Sequence, residues 1–214
     1  MANVDTGIVR VLKNLDGSTY TGTGIPCFIP STDSTDIGRG AFVVFSGTSN
    51  TANINTLSGQ LAGFEDYKIG QLPEVALAAA GANAISGVVV GVAMDARGGT
   101  NNNPSYRRAS TAAVVWVEPA HNILIDIQSD GAASAHAAVD IGQNINLVTT
   151  GTCDTNTGAH EVYLDSTSMG TGATKQFTIV AASRDSDRDE LTAAKPGLLC
   201  LINNRNLAPN SAGV

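Results

Sequence analysis

Charge is what this chain lacks most. Asp, Glu, Lys and Arg make up 14% of its 214 residues, where ordinary globular domains carry about a quarter. Basic charge is scarcest: 12 Lys and Arg stand against 19 Asp and Glu, a net −7. Phosphate backbones are held by clustered cations. The sign of the charge and the lack of any Lys/Arg cluster therefore exclude a nucleic-acid binder. Aromatics are 5%, with a single tryptophan, Trp116, which leaves little for a stacked-aromatic glycan site. The cysteines, Cys27, Cys153 and Cys200, are odd in number and far apart. That excludes a disulfide framework and fits reduced thiols in a cytosol. No apolar run reaches the ~18 residues of a membrane helix. The opening MANVDTGIVRVLKNLDG lacks a basic stretch followed by an apolar one, so no secretory leader is expected. No Asn-X-Ser/Thr acceptor occurs. The expectation is a soluble protein made in a cytoplasm.

Glycine (23 residues), Thr, Ser, Asn and Ala take the place of charge, and apolar residues at 43% are ample for a core. Residues 106–128 organise the rest. Two β-branched runs, 114–117 and 123–127, flank Glu118-Pro119-Ala120-His121-Asn122. Ile123, Ile125 and Ile127 alternate with Leu124, Asp126 and Gln128, while Val115 and Val117 oppose Val114 and Trp116. Pro119 fits a turn better than a central strand. The pattern predicts a central hairpin with Trp116 largely buried.

Further strands are predicted over 27–29, 40–45, 85–93, 145–148, 160–165, 176–182 and 197–203, the last apolar on both faces. Residues 71–84 have helix propensity but no clean apolar face, which favours a strand plus loop. Residues 134–142 hold one or two helical turns ended by Gly142. The class is mainly β: a small antiparallel β-barrel or sandwich with an extended N-terminal arm and one or two short helices. Residues 1–30 form the arm, 31–105 an irregular β-rich front half and 106–214 a compact β-domain, the halves making one globular unit. The apolar residues of the arm, Ile8, Val9, Val11, Leu12, Phe28 and Ile29 among them, are too scattered for a core of their own. The segment either docks as a strand on its own domain or pairs with a neighbouring subunit's sheet edge.

No constellation carries obvious chemistry. His121, His136 and His160 lack metal-ligand spacing and are expected at the surface. Ser110, His121 and Asp126 supply triad residue types without a G-x-S-x-G elbow. The glycine stretch 170–175 lacks phosphate-loop spacing and precedes a strand, so a hairpin loop is expected. Arg107-Arg108-Ala109-Ser110 has the form of a basic-directed kinase site, and 184–190 reads as a solvated turn with internal ion pairs. No catalytic residue, metal or cofactor is expected.

One set of motifs, taken in order, points further. Met1-Ala2-Asn3-Val4-Asp5 is followed by Gly17-Ser18, Tyr20 and Ile29-Pro30-Ser31. Ile85-Ser86-Gly87-Val88-Val89 precedes Tyr106-Arg107 and Ala109-Ser110-Thr111-Ala112. Asp126-Ile127-Gln128, Gly142-Gln143-Asn144, Leu164-Asp165-Ser166-Thr167 and Leu201-Ile202-Asn203-Asn204 complete the order. Over nearly its whole length the chain resembles the capsid decoration (cement) and head structural proteins of tailed bacteriophages. The resemblance implies a virion protein on the capsid surface, assembled in the host cytoplasm. It also implies the major capsid protein as partner, a homotrimer, no enzyme activity, no cofactor, and no nucleic acid or membrane. On that reading Ile8, Val9, Val11, Leu12, Phe28 and Ile29 are the capsid contacts, and removing residues 2–20 should leave a folded domain that no longer attaches. The alternative is a tail, fibre or host-adsorption module that grips glycans with exposed loops such as 149–158.

Overall fold

The computed structural model describes residues 3, 5–14, 24–57, 64–81, 83–95, 105–132 and 136–205. The two β-branched runs do not pair with each other: 113–119 and 123–128 run in different sheets. The first run is apolar on both faces and needs cover on two sides, whereas the second has one apolar face, Ile123, Ile125 and Ile127, to bury, so the two need different surroundings. The chain provides both by changing layers at residues 119–122. Pro119 has no N–H to offer, and Ala120–Asn122 makes one 3-10 turn. The Ala120 N–H ties this corner to the Ser86 carbonyl at 2.9 Å. The expected hairpin is corrected to a corner between two layers.

The main strands, in chain order, are β1 (Arg10–Asn14), β2 (Ile25–Ile29), β3 (Phe42–Ser49), β4 (Pro73–Leu77), β5 (Gly87–Val92) and β6 (Ala113–Pro119). There follow β7 (Ile123–Gln128), β8 (Asn144–Leu147), β9 (Leu164–Gly170), β10 (Phe177–Ala182) and β11 (Gly197–Ile202). Strands β2 to β6 close a barrel in the order β6-β2-β4-β3-β5, as the mainly-β expectation allowed. Cys27, Ile29, Val43, Val75, Val89, Val115 and Val117 fill its interior, at the alternate positions that a pleated strand points inward. At the corner β5 and β6 come so close that a Cβ on Gly87 would lie 2.4 Å from the Glu118 carbonyl oxygen. Only glycine allows that approach.

The second layer is an antiparallel sheet in the order β1-β7-β11-β10-β8-β9. Ile125, Cys200 and Ile179 are register partners across three of its strands. Together with Ile127, Ile145, Phe177 and Leu198 they face the barrel wall, where Phe42, Ile85 and Val88 complete one buried seam. Phe42 and Phe177 meet edge to face across it, 5.1 Å between centroids, the arrangement that ring quadrupoles favour.

Elsewhere on the barrel wall Ile54–Leu57, Phe64–Tyr67 and Met94–Asp95 form a small three-stranded sheet. Ile54 and Tyr67 pack there with Phe28, Leu72, Val114 and Trp116. Trp116 lies over Gly91 and is half-buried, less than the pattern suggested, because it faces this thin outer cover and not the barrel interior. Trp116→Ala is therefore expected to cost less than the ~3–5 kcal/mol typical of a buried aromatic, yet more than about 1. A urea midpoint equal to wild type, or a loss as large as that of Phe177→Ala, would contradict this placement.

Helix is nearly absent from the described residues: two 3-10 turns, Ala120–Asn122 and Ala138–Asp140. The second falls where helical turns were expected, and Gly142, at φ +93°, follows it. Within the helix-prone 71–84 segment Pro73–Leu77 is strand β4, as the strand-plus-loop reading expected. Of the two readings of the N-terminal segment, its described part takes the first and docks on its own domain. β1 pairs with β7 from Arg10↔Asp126 to Asn14↔Ile123, Ile8 bridges to Glu161, and β2 is a barrel strand. The scattered apolar residues need no core of their own because they are shared between layers: Val9 enters the seam, Ile29 the barrel, Phe28 its outer wall. Residues 1, 2, 4 and 15–23 lie outside the described set.

Candidate functional site

Of the six residues expected to touch a partner, Val9, Phe28 and Ile29 are buried in the chain's own core. Ile8 and Val11 are half-buried. Leu12, at the bulge in β1, is 43% exposed and is the one that presents real surface. The triad residue types do not meet. Ser110 sits in an exposed turn donating its N–H to the Asp33 carbonyl, His121 is in the corner turn, and Asp126 is buried beneath Ser183. The 170–175 stretch is no hairpin loop, since β8 lies between β9 and β10. Its Lys175 ammonium folds back onto the Ser168 carbonyl. Arg107 of the kinase-like motif is fully buried, so the motif cannot be read as a basic surface.

The buried polar side chains have a common use that the sequence did not announce. Asn50 donates to the Ala52 and Lys68 carbonyls and accepts from the Leu72 N–H, all within 2.9 Å, which braces the 68–72 turn. Gln176 accepts from the Leu147 N–H at 3.0 Å and donates to the Ala79 carbonyl at 2.9 Å. The Gln128 Oε1 accepts from the N–H of Thr6 and of Gly7, while its amide donates to the Lys195 carbonyl. Arg188, expected in a solvated turn, is 1% exposed. It donates to the Ile8 carbonyl at 3.2 Å and lies 3.8 Å from Asp126, which in turn accepts from Ser183 Oγ at 2.7 Å. A charge can be buried there because carboxylates and carbonyls replace its water. Each of these side chains ties a loop or terminal segment to a sheet.

His121 is exposed as expected, but His136 and His160 are buried, each accommodated by a polar partner inside the fold. The His160 Nε2 lies 3.0 Å from the Thr150 carbonyl, so that nitrogen carries the proton. The His136 Nε2 is 2.9 Å from Ser129 Oγ, and its Nδ1 is 3.6 Å from an Asp140 oxygen. This Ser–His–carboxylate line has the order of a catalytic triad, but Ser129 is fully buried. The N–H groups of Ser129 and Asp130 are already bonded to the Pro196 and Leu164 carbonyls. Neither an approachable nucleophile nor a free oxyanion donor results; the line is one buried Ser129–His136 hydrogen bond with the Asp140 carboxylate nearby.

Burial holds both imidazoles below the usual histidine range; Asp140 and Asp130 oppose this at His136, and the Thr150 carbonyl opposes it at His160. The unfolded chain then binds protons that the native one refuses, so native stability falls as pH drops below about 6.5. The urea midpoint is expected to decline between about pH 7.5 and 5, above the range where carboxylates titrate, and His136→Gln should shrink that decline. A flat midpoint across that window would contradict the burial of the two rings.

All three cysteines are free. Burial pushes the Cys27 thiol up to about 12 and, with Asp36 and Asp154 adding to it, the Cys153 thiol up to about 11. Cys200 is raised too, by burial and then by Asp126. None is a ready thiolate at neutral pH. Among the described residues no group of three or more His, Cys, Asp or Glu is placed to hold a metal ion, and no helix is long and apolar enough to cross a membrane. The surface feature that stands out is aliphatic. Leu12, Val139, Ile141 and Val180 are each more than a third exposed, Val139 by 76%. Comparison with family models, curated proteins and solved structures gives no match.

Proposed function

We propose that this chain is a structural virion protein that decorates a bacteriophage head, a cement protein seated as a homotrimer on the lattice of a major capsid protein. The order of motifs along the sequence supplies that setting. The observation that carries the structural role is the use of the buried polar side chains. Asn50, Arg107, Gln128, Gln176 and Arg188 all clamp loop or segment backbone onto the two β-layers. Buried polar groups in enzymes commonly converge on a cavity where a substrate completes their bonding; here each of these five side chains bonds to the chain's own backbone carbonyls. A body stiffened in this way offers fixed, broad surfaces, which is what shape-complementary docking on a repeating lattice demands. Scarce charge suits the same task, since a strongly cationic surface would collect nucleic acid.

Co-sedimentation with undecorated heads is the test. The purified chain is expected to bind until its copy number matches a regular class of lattice positions, and to raise the temperature at which the heads open. A handful of copies per particle would move the protein to the tail or a fibre, and no binding would overturn the assignment.

A further inference from the structure

One ring fastens the connection between β7 and β8 to the rest of the fold. Among the described residues from 130 to 144 only His136 is buried. Residues 137–141 bury nothing, and their hydrogen bonds close the turn on itself. Ala137 N donates to Asp140 Oδ2 at 2.8 Å, Asp140 N to Ala137 O at 3.0 Å and Gln143 N to Asp140 O at 3.0 Å. The turn meets the six-stranded sheet at its two ends. At the first, His136 Nε2 lies 2.9 Å from Ser129 Oγ, just past β7. At the second, Gly142 N donates to Ile179 O at 2.7 Å and Ile179 N to Gln143 O at 2.9 Å. β8 itself pairs with β10 only at Asn144↔Thr178 and Ile145↔Phe177. Residues 142 and 143 therefore cover the next stretch of the β10 edge.

We infer that His136 is a proton-controlled latch: when its ring gains a second proton, residues 136–143 detach and uncover the β10 edge at Ile179, while the two β-layers stay folded. Detachment is local because it breaks the Ser129 bond and two backbone bonds and exposes no aliphatic core. The geometry also suits a neutral ring. Asp140 Oδ2, 3.6 Å from Nδ1, favours a proton on that nitrogen, which leaves Nε2 to accept from the Ser129 hydroxyl. A second proton would make a cation in a space closed to water, and burial is the largest influence against it. The ionisable groups that act on the ring are Asp140, on its own turn, and Asp130, which follows β7; both favour the cation. Both are already engaged, Asp140 by Ala137 N, and Asp130 by Ala132 N and by the N–H and hydroxyl of Ser166. In the detached turn the ring is in water and titrates in the ordinary histidine range. The closed form is therefore favoured above about pH 6.5 and loses ground as pH falls below it.

The latch stands apart from the capsid reading and is tested on the full chain by amide hydrogen exchange between about pH 7.5 and 5, corrected for intrinsic rates and resolved by residue with NMR. The Asp140, Gly142 and Gln143 amides are expected to be less protected than those of β11 at every pH. Their protection should fall about threefold or more as the pH drops. His136→Gln should remove that fall, since its amide can still bond Ser129 but takes up no proton. His160→Gln should leave it in place, because His160, held beside the Thr150 carbonyl, stays buried when the turn detaches. The His136 ring of the wild-type chain, which needs no variant, is expected to titrate below about 6.5. A ring that titrates at or above that value would overturn the latch. So would turn amides as protected as β11, protection independent of pH, a fall that survives His136→Gln, or one that His160→Gln also removes.

Discussion

Replacing Arg107 by alanine is expected to remove about 3–5 kcal/mol of stability, the loss seen when one partner of a buried ionic network is deleted. The side chain is fully buried. Its Nε donates to the Thr111 carbonyl at 2.7 Å, Nη2 to the Pro30 and Asp33 carbonyls at 2.8 Å each, and Nη1 to an Asp33 carboxylate oxygen at 3.3 Å and to Thr35 O. One planar fork therefore fixes the whole 30–36 loop to the strand pair Tyr106–Arg107 and Ile37–Gly38. Burial alone lowers the pKa of the guanidinium, and Asp33 and Asp36 pull it back up. Alanine would take a donor from the Asp33 carboxylate and four carbonyls; the Asp33 oxygens and Pro30 O keep bonds from Thr35, Ser110 and the Asp33 N–H, but the Thr111 and Thr35 carbonyls lose the guanidinium, each worth roughly 1–3 kcal/mol when buried and unpaired. Lysine restores the charge but not the fork, so Arg107→Lys should recover only part of the loss. Arg108, the exposed neighbour, serves as the control, with Arg108→Ala within about 1 kcal/mol of wild type. Against a total of ~5–15 kcal/mol for a domain, an unchanged urea midpoint for Arg107→Ala would overturn this account of the loop.

The contrast between Arg107 and Ile125 shows what a linear pattern can and cannot convey. The alternation of Ile123, Ile125 and Ile127 identified a strand and its core face, and the split of Val115 and Val117 from Val114 and Trp116 correctly separated barrel interior from wall. Those are local properties with a period of two. Pairing is not local. Nothing within 106–128 states that β6 should take β2 and β5 as neighbours while β7 takes β1 and β11, because those partners lie up to 116 residues away in sequence, as Arg10 does from Asp126. The polar positions misled for a related reason. Asp126 and Gln128 occupy the solvent phase of the alternation, yet both are buried, since the 183–196 segment and the N-terminal residues fold over that end of the sheet. A periodicity shows that a face is polar and cannot show what later covers it. One feature of the surface was legible: residues 197–203 are apolar on both faces, which for a strand with only one core face means an apolar outer surface, where Leu199 and Leu201 are partly exposed.

Removing residues 2–20 is expected to unfold the chain or to reduce its stability by at least about 5 kcal/mol, a large part of the total for a domain. The sequence alone suggested a dispensable arm; the pairing argues otherwise. β1 is the edge strand of the six-stranded sheet, hydrogen-bonded to β7, and its loss would expose that strand's ladder. Val9 would be lost from the seam, at roughly 1.5–3 kcal/mol for a buried valine. Gln128 would lose the Thr6 and Gly7 donors, and the Arg188 guanidinium the Ile8 carbonyl. The surface pairs Arg10–Asp185 and Lys195–Asp5 add little in solvent. Circular dichroism and a urea titration of the truncated chain would register the loss, and Gln128→Ala should reproduce part of it, roughly 1–3 kcal/mol. A truncated chain with the wild-type midpoint would mean that β1 is a removable strand after all. The distinction matters for any attachment assay, because a truncation that unfolds the sheet abolishes binding for reasons unrelated to contact. Leu12→Asp separates the two effects. Its side chain is 43% exposed, so the substitution should leave the fold intact, and a loss of particle binding by that variant would then report contact at β1 itself.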